Sequence, residues 1–331
     1  MMSRKYLSNA VAGVVISLAI TLVVFNIFKV SPEEILSLNP SVLVIAVVLN
    51  LVRFGAQGLR LHLLLRRFGS IQCCYRDSFI VRSASEFFAL TTIPFMADEA
   101  ARAWLLVRRG EQAPKAFWVS FTEMLLDTLV GAAIALAAGL YALAAGTHYL
   151  SLVILLISSI QLLMVAVFLW VARKPFKPSE RSRPEENTGT TSLFNRLWRW
   201  LVANRDGMGQ VFRPLFSRPM ATALVWLMLS TMVVMTAPAL ILYLMLDQSG
   251  LIWFTASLFT FHAGNALGVI PVTVGGAGLT EAGLYLYLRD VLGNDAPSTV
   301  IQWRLATYHL SLIISGVTLA VAVAGMRRTR R

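Results

Sequence analysis

Eleven ionisable side chains sit within stretches that are otherwise apolar. They are Arg53, Arg60, Arg82, Arg102, Arg304, Glu86, Asp98, Glu99, Glu123, Asp127 and Glu281. Each would cost roughly 2.5–3.5 kcal/mol at the centre of a membrane helix, so a passive anchor has no reason to carry them. Guanidinium groups match phosphate or carboxylate through paired donors. Carboxylates accept from amines and hydroxyls, or take up a proton. The set suits two uses: holding a polar, charged group, or bracing the fold through an internally neutralised cluster.

Spacing sorts these residues into constellations. Asp98 and Glu99 lie four and three positions before Arg102, so on a helix both can reach it. Either the three neutralise one another, or Arg102 takes a phosphate while a surplus carboxylate takes an amine. Glu123 and Asp127 are four apart and share a helix face. Two adjacent carboxylates repel unless a cation, a proton or an arginine joins them, and Arg60 and Arg304 are the arginines available. Gly275-Gly276-Ala277-Gly278 precedes a short helix that starts at Leu279. Glycines let backbone N–H groups approach a ligand, and the helix start adds a positive dipole end suited to an anion. Glu281, in the first turn of that helix, either caps it or serves as a buried carboxylate for a cation, a lipid amine or a proton. The two roles are compatible.

The other reactive types form no constellation. His62, His148, His262 and His309 have no second ligand at metal-binding spacing, and His262 reads as a core residue. No nucleophile elbow, Walker loop or metal box is present. No catalytic residue, metal or cofactor is expected. Cys73 and Cys74 are the only cysteines and are adjacent, which excludes a disulfide scaffold. They read as two ordinary thiols, with palmitoylation as a weaker alternative.

The elements that position these groups follow from composition. The chain has 331 residues, 57% apolar and 14% charged, with a mean hydropathy of +0.68. A soluble domain averages roughly 25% charged residues, and about 20 apolar residues span a bilayer. The chain is therefore an all-α polytopic membrane protein. Six spanning helices are expected near 8–29, 41–65, 116–144, 149–172, 219–246 and 298–326. Two segments cannot cross once. Residues 78–107 are broken at Pro94 and begin and end among arginines, whereas residues 251–290 are broken at Pro271 and end among acids. Each reads as a re-entrant hairpin, the two entering from opposite sides. The order helix, helix, hairpin, helix occurs twice with reversed direction, giving one transmembrane domain over 1–331 with halves 1–145 and 146–331. Inverted repeats with broken helices are a transporter pattern. Gly131, Ala135 and Gly139 put a small face on the 116–144 helix, for close packing. A basic connection over 173–218 holds an amphipathic segment from Leu193 to Leu201, suited to lying in the interface or packing on the bundle.

The net charge is +12. The basic residues collect on one side of this topology: Arg4, Lys5, Arg66, Arg67, Arg76, Arg108, Arg109, Lys115, the 173–218 connection and the C-terminal arginines. The positive-inside rule makes that side cytoplasmic, giving a multi-pass protein of the cytoplasmic (inner) membrane with both termini expected in the cytoplasm. The basic excess then reads as topology and attraction to anionic inner-leaflet lipids, not as a nucleic-acid surface.

These residues resemble the lysylphosphatidylglycerol synthase transmembrane-region family of flippase-like domains. Its late motif, approximately P-x-x-x-G-G-x-G-x-x-E, is matched from Pro271 to Glu281. Its earlier motif, approximately P-x-x-x-G-[DE]-x-x-R, is matched from Pro94 to Arg102, with Asp98 in place of glycine. An E-R-x-x-D pattern becomes Glu123 to Asp127 with Met124 in place of arginine, and Arg60 and Arg304 match expected arginines. The resemblance implies a stand-alone member, without the aminoacyl-transferase domain, that moves a polar or aminoacylated phospholipid or a glycolipid between leaflets. Arg60, Asp98, Glu99, Arg102, Glu123, Asp127, Gly275, Gly276, Gly278, Glu281 and Arg304 would line the headgroup path, in a hydrophilic pocket where the hairpins meet. A lipid-modifying membrane enzyme and a non-catalytic envelope accessory subunit are the alternatives. The accessory subunit predicts charges that are all mutually paired, with no open pocket. A homo-oligomer or a separate lipid synthase is left open as a partner.

Overall fold

A computed structural model describes residues 39–92, 97–144, 146, 148–173, 217–246, 249–270 and 273–328, with scattered positions in 14–33 and 211–215. The expected 8–29 helix, the Leu193–Leu201 segment, most of the 173–218 connection, Pro94 and Pro271 lie outside the described residues. The described residues are helical throughout, with no strand.

Ten α-helices follow in order: α1 Pro40–Phe68, α2 Tyr75–Thr91, α3 Ala97–Arg108, α4 Ala113–Ala144, α5 His148–Arg173, α6 Ala221–Met245, α7 Leu251–Gly268, α8 Leu279–Leu292, α9 Ala296–Arg304 and α10 Leu310–Arg328. Among the described residues, five stretches are long and apolar enough to cross a membrane: α1, α4, the Ser151–Trp170 part of α5, α6, and one within the helical run Val274–Gly325. They fall on the five expected spans within the described residues.

Local sequence sets the helix ends. α1 begins where Asn39 Oδ1 accepts from the Ser41 N–H at 2.9 Å, with Pro40 in the first turn. It ends with Arg66 and Arg67 against its C-terminal dipole. α3 has the same polarity, with Asp98 and Glu99 in its first turn and Arg108 in its last. The α1–α2 loop is clasped to the α3–α4 loop. Buried Glu111 accepts from the Ser70 N–H at 2.8 Å and the Ile71 N–H at 3.3 Å, while Lys115 Nζ donates to Ser70 Oγ at 2.9 Å. The clasp gathers Arg66, Arg67, Arg76, Arg108 and Arg109 at one end of the bundle.

Packing follows the small residues. A Cβ on Gly139 of α4 would lie 3.0 Å from Leu155 of α5, and Ala135 and Ala138 pack with Ile154 of α5 and with Ala263 and Ala266 of α7. The expected small face therefore seats two helices. α7 and α8 approach even more closely, since a Cβ on Gly283 would fall 2.7 Å from Gly264 Cα. α1 packs on α6, and α2 packs on α1, α3 and α10.

Two departures from regular helix matter for the interior. Pro238 inside α6 cannot donate to the helix, and its own carbonyl accepts from Trp303 Nε1 at 2.9 Å. Between α9 and α10 the helix widens into a π turn over Leu305–His309, a feature frequent at functional sites. The Ala306 carbonyl of that turn accepts from Asn50 Nδ2 at 2.8 Å. The expected continuous 298–326 helix is thus one rod with a π turn in it.

The glycine turn after α7 meets the end of α2. The Gly275 N–H donates to the Thr92 carbonyl at 2.9 Å, and Tyr308 Oη donates to the Leu90 carbonyl at 2.5 Å. Gly275, Gly276 and Gly278 have φ of 58°, 67° and 87°. A Cβ on Gly275 would lie 2.7 Å from the Leu90 oxygen, whereas one on Gly278 would meet nothing within 4 Å. Positive φ alone costs a side chain about 1–2 kcal/mol. In thermal unfolding of the detergent-purified protein, Gly278→Ala should cost about that much and Gly275→Ala clearly more. Equal losses would contradict the close contact between the α2 end and the glycine turn.

Candidate functional site

The buried charges form one alternating chain across α1 to α4. Asp127 pairs with both terminal nitrogens of Arg60, the Nη2–Oδ2 contact being 2.8 Å. Arg60 Nε reaches Glu123 at 3.1 Å, and Glu123 meets Arg102 at 2.8 Å. Arg102 meets Asp98 at 2.5 Å, and Asp98 lies 3.8 Å from Arg82. Arg82 pairs with Glu86 at 2.7 Å, and Glu86 with Arg53 at 2.5 Å. A further contact of 3.8 Å between Arg82 and Glu123 closes a square with Arg102 and Asp98. Four arginines and four carboxylates alternate and sum to zero.

Burial is graded along this chain. The side chains of Arg60, Arg102 and Glu123 are at most 1% exposed, whereas Asp127 at one end is 24% and Arg53 at the other is 16% exposed. Neutral groups supply the remaining bonds. Arg60 donates to Thr231 Oγ1 of α6 at 3.0 Å, and Arg102 donates to the Ser120 carbonyl at 3.1 Å and to Ser85 Oγ at 3.3 Å. Arg53 donates to Ser311 Oγ of α10 at 3.2 Å.

A second centre lies at the glycine turn. One oxygen of Glu281 accepts from the Gly278 N–H at 2.8 Å, and the other pairs with Arg304 Nε at 2.9 Å. Arg304 also donates to the Gly275 carbonyl at 3.3 Å, and its guanidinium lies 3.8 Å from the Tyr308 ring centre. Because Gly275 and Tyr308 also bond the end of α2, the two centres share one backbone junction.

The structure thus brings Arg60, Asp98, Arg102, Glu123 and Asp127 into the first centre, and Gly275, Gly276, Gly278, Glu281 and Arg304 around the second. One expectation is corrected. Arg304 does not serve Glu123 or Asp127, because the glycine turn places Glu281 against it. Of the two carboxylates that could reach Arg102, Asp98 is its partner on α3; Glu99, 6% exposed, forms no ion pair among the described residues. A cavity of about 630 Å³ lies at the clasped loops, lined by His62, Arg66, Ser70, Gln72 and Cys73 among others.

Arg53, Arg82 and Glu86 belong to the chain but stood out in the sequence only as buried charges. The i,i+4 spacing of Arg82 and Glu86 was a readable signal. Thr231, Tyr308 and Asn50 carried none. Among the described residues no three His, Cys, Asp or Glu side chains could hold a metal. Burial and then Asp77 push the Cys73 thiol above its ordinary range, and Cys74 Sγ donates to Asp77 at 3.1 Å.

Both centres lie within residues 10–315, which match the family model described as the lysylphosphatidylglycerol synthase TM region. The chain belongs to that family. Membership in the lysylphosphatidylglycerol synthase TM region family makes this a multi-pass membrane protein with a role tied to membrane lipid. No curated protein matches the chain.

Breaking a buried pair from one side costs about 3–5 kcal/mol, because the other charge is left unpaired. Glu123→Gln leaves one surplus positive charge between Arg60 and Arg102, which are at most 1% exposed, so it should cost about that much. Arg53→Gln leaves Glu86 with Arg82 and sits at the more exposed end, so it should cost clearly less. Thermal unfolding in detergent checks the ranking, and a larger loss for Arg53→Gln would contradict the chain order.

Proposed function

We propose that the protein carries the headgroup of a polar or aminoacylated phospholipid, or of a glycolipid, across the cytoplasmic membrane while the acyl chains stay in the bilayer. The observation that carries this reading is the junction of two buried charged centres, in a chain whose family ties it to membrane lipid. Arginine matches the phosphate that phospholipids share, so Arg102 and Arg304 would take it in turn. Glu99, Glu123, Asp127 and Glu281 would take an amine or sugar hydroxyls. The transit is transport, with no bond of the lipid broken. The basic clasped end would face the cytoplasm and anionic inner-leaflet lipid, with both termini on that side.

Packing supports an inverted repeat. Exchanging α1, α2, α3 and α4 for α6, α7, α8 and α9–α10 maps the α1–α2 packing onto α6–α7, and α2–α3 onto α7–α8. It also maps α3–α4 onto α8–α9, and α2–α10 onto α7–α4, and α1–α6 maps onto itself. The ion pairs follow the same exchange with reversed sign. Arg102 of α3 meets Glu123 of α4, and Glu281 of α8 meets Arg304 of α9. On this reading α2–α3 and α7–α8 are re-entrant hairpins whose tips meet at Thr92 and Gly275. The paired, closed centres are then the resting state, which a headgroup opens by replacing one partner at a time.

The closed network also favours a second reading, a non-catalytic envelope subunit whose charges only brace the bundle. Leaflet-sidedness assays in proteoliposomes separate the two. Labelled aminoacylated phosphatidylglycerol, phosphatidylglycerol and a glycolipid should be compared with protein-free vesicles. Wild-type protein should accelerate at least one lipid about tenfold or more, equivalent to ~1.4 kcal/mol of barrier. Glu281→Gln alone is a poor probe, because it strands Arg304. Glu281→Gln/Arg304→Gln leaves no unpaired charge, and should keep its folded yield while losing translocation of every phosphate-bearing lipid. No acceleration of any lipid by wild-type protein would favour the brace.

A further inference from the structure

The cavity at the clasped loops has no part in either charged centre. Its lining of His62, Arg66, Ser70, Gln72 and Cys73 is polar and encloses about 630 Å³. His62 Nδ1, on that lining, is buried and has no hydrogen-bond partner. A buried polar group left without a partner costs about 1–3 kcal/mol, so it marks a place for a ligand or a water. A second hollow of about 290 Å³ lies where Leu63, Arg66 and Arg67 of α1 face Thr222, Ala223 and Trp226 of α6. Arg66 lines both hollows and so joins them.

The charge around the polar cavity is positive on balance. α1 brings Arg66 and Arg67, α2 brings Arg76 and Asp77, the α3–α4 loop brings Arg109 and Glu111, and α4 brings Lys115. The two acids are occupied: Glu111 accepts from the Ser70, Ile71 and Gln112 N–H groups, and Asp77 from Cys74 Sγ. Arg66 is exposed and forms no ion pair among the described residues. An uncommitted arginine beside an imidazole, a hydroxyl and an amide suits a phosphate. The second hollow decides between a free phosphate and a lipid. It lies along α1 and α6, both long and apolar enough to span a membrane, and Trp226 is 54% exposed there. Tryptophan is favoured at the level where lipid headgroups meet acyl chains.

We propose that the joined hollows dock one anionic phospholipid, its phosphate against Arg66 and His62 and its acyl chains along the α1–α6 seam. The lipid belongs to the leaflet at the basic end of the bundle. None of the lining residues is a member of either charged centre, so the test needs no transport and stands separately from translocation.

The two cysteines supply the probe, since Cys73 lines the cavity and its neighbour Cys74 does not. Cys74→Ser leaves Cys73 as the only thiol, and Cys73→Ser leaves Cys74 as the control for general surface effects. Labelling by a water-soluble maleimide is followed in nanodiscs of phosphatidylcholine, with and without phosphatidylglycerol. Phosphatidylcholine shares the phosphate, but its choline opposes the arginines. Phosphatidylglycerol should therefore slow labelling of Cys73 relative to Cys74. Arg66→Gln, at an exposed position, should unfold at the wild-type temperature yet weaken that protection about fivefold, the worth of one arginine near an anionic surface. His62→Gln should weaken it as well. Equal slowing of the two thiols, or protection unchanged by Arg66→Gln, would overturn the proposal. Protection of Cys73 by soluble glycerol phosphate in phosphatidylcholine nanodiscs would assign the cavity to a free phosphate and overturn the lipid.

Discussion

Charge alternation in a dry interior is the constraint on which the rest depends. A charge moved out of water costs several kcal/mol even after relaxation, and a buried partner repays this only with good geometry and further hydrogen bonds. The chain from Asp127 through Arg60, Glu123, Arg102, Asp98, Arg82 and Glu86 to Arg53 meets that condition by giving every interior member two opposite neighbours. The arrangement requires α1, α2, α3 and α4 to converge at one level. That convergence explains the short loops at the basic end and the Glu111 clasp that fixes them. It also makes the network a poor choice if stability were the only end, since well-packed apolar groups commonly do as well or better.

The second centre applies the same logic at smaller scale. Glu281 completes the start of α8 through Gly278 and neutralises Arg304 with its other oxygen. Arg304 in turn holds the Gly275 carbonyl and the Tyr308 ring. A single carboxylate therefore sets the helix start, the glycine turn and the π turn. The contacts of Thr92 and Leu90 with Gly275 and Tyr308 then join this centre to the end of α2. Movement at one centre has a direct mechanical route to the other.

Much of this was legible in the sequence. Long apolar runs placed α1, α4, α5, α6 and the α9–α10 rod, and the interruptions near Pro94 and Pro271 marked where α2–α3 and α7–α8 break. The four-residue spacings gave Asp98 with Arg102, and Glu123 with Asp127 on one face. Spacing within a helix says nothing about which other helix arrives, so Arg304 could not be assigned to Glu281 or to Glu123 from the chain alone. Asp98 and Glu99 were equivalent as partners for Arg102 until the helix phase chose between them. The π turn at Leu305–His309 has no compositional mark, and the Asn50 bond to its Ala306 carbonyl comes from the distant α1. The side-chain directions that turn the charges of each centre toward one another were not legible in the spacing either.

We propose that the network is a path for a headgroup and not only a brace. Replacing Arg102 and Glu123 together by glutamine tests it most directly. Arg60 keeps Asp127 and Arg82 keeps Asp98 and Glu86, so no buried charge is orphaned and the fold should survive. The measurement is lipid translocation by that double variant in proteoliposomes, at matched protein content. Wild-type folded yield with translocation reduced to the protein-free rate is the expected result. Translocation at the wild-type rate would contradict it, and would leave the alternating charges as a brace alone.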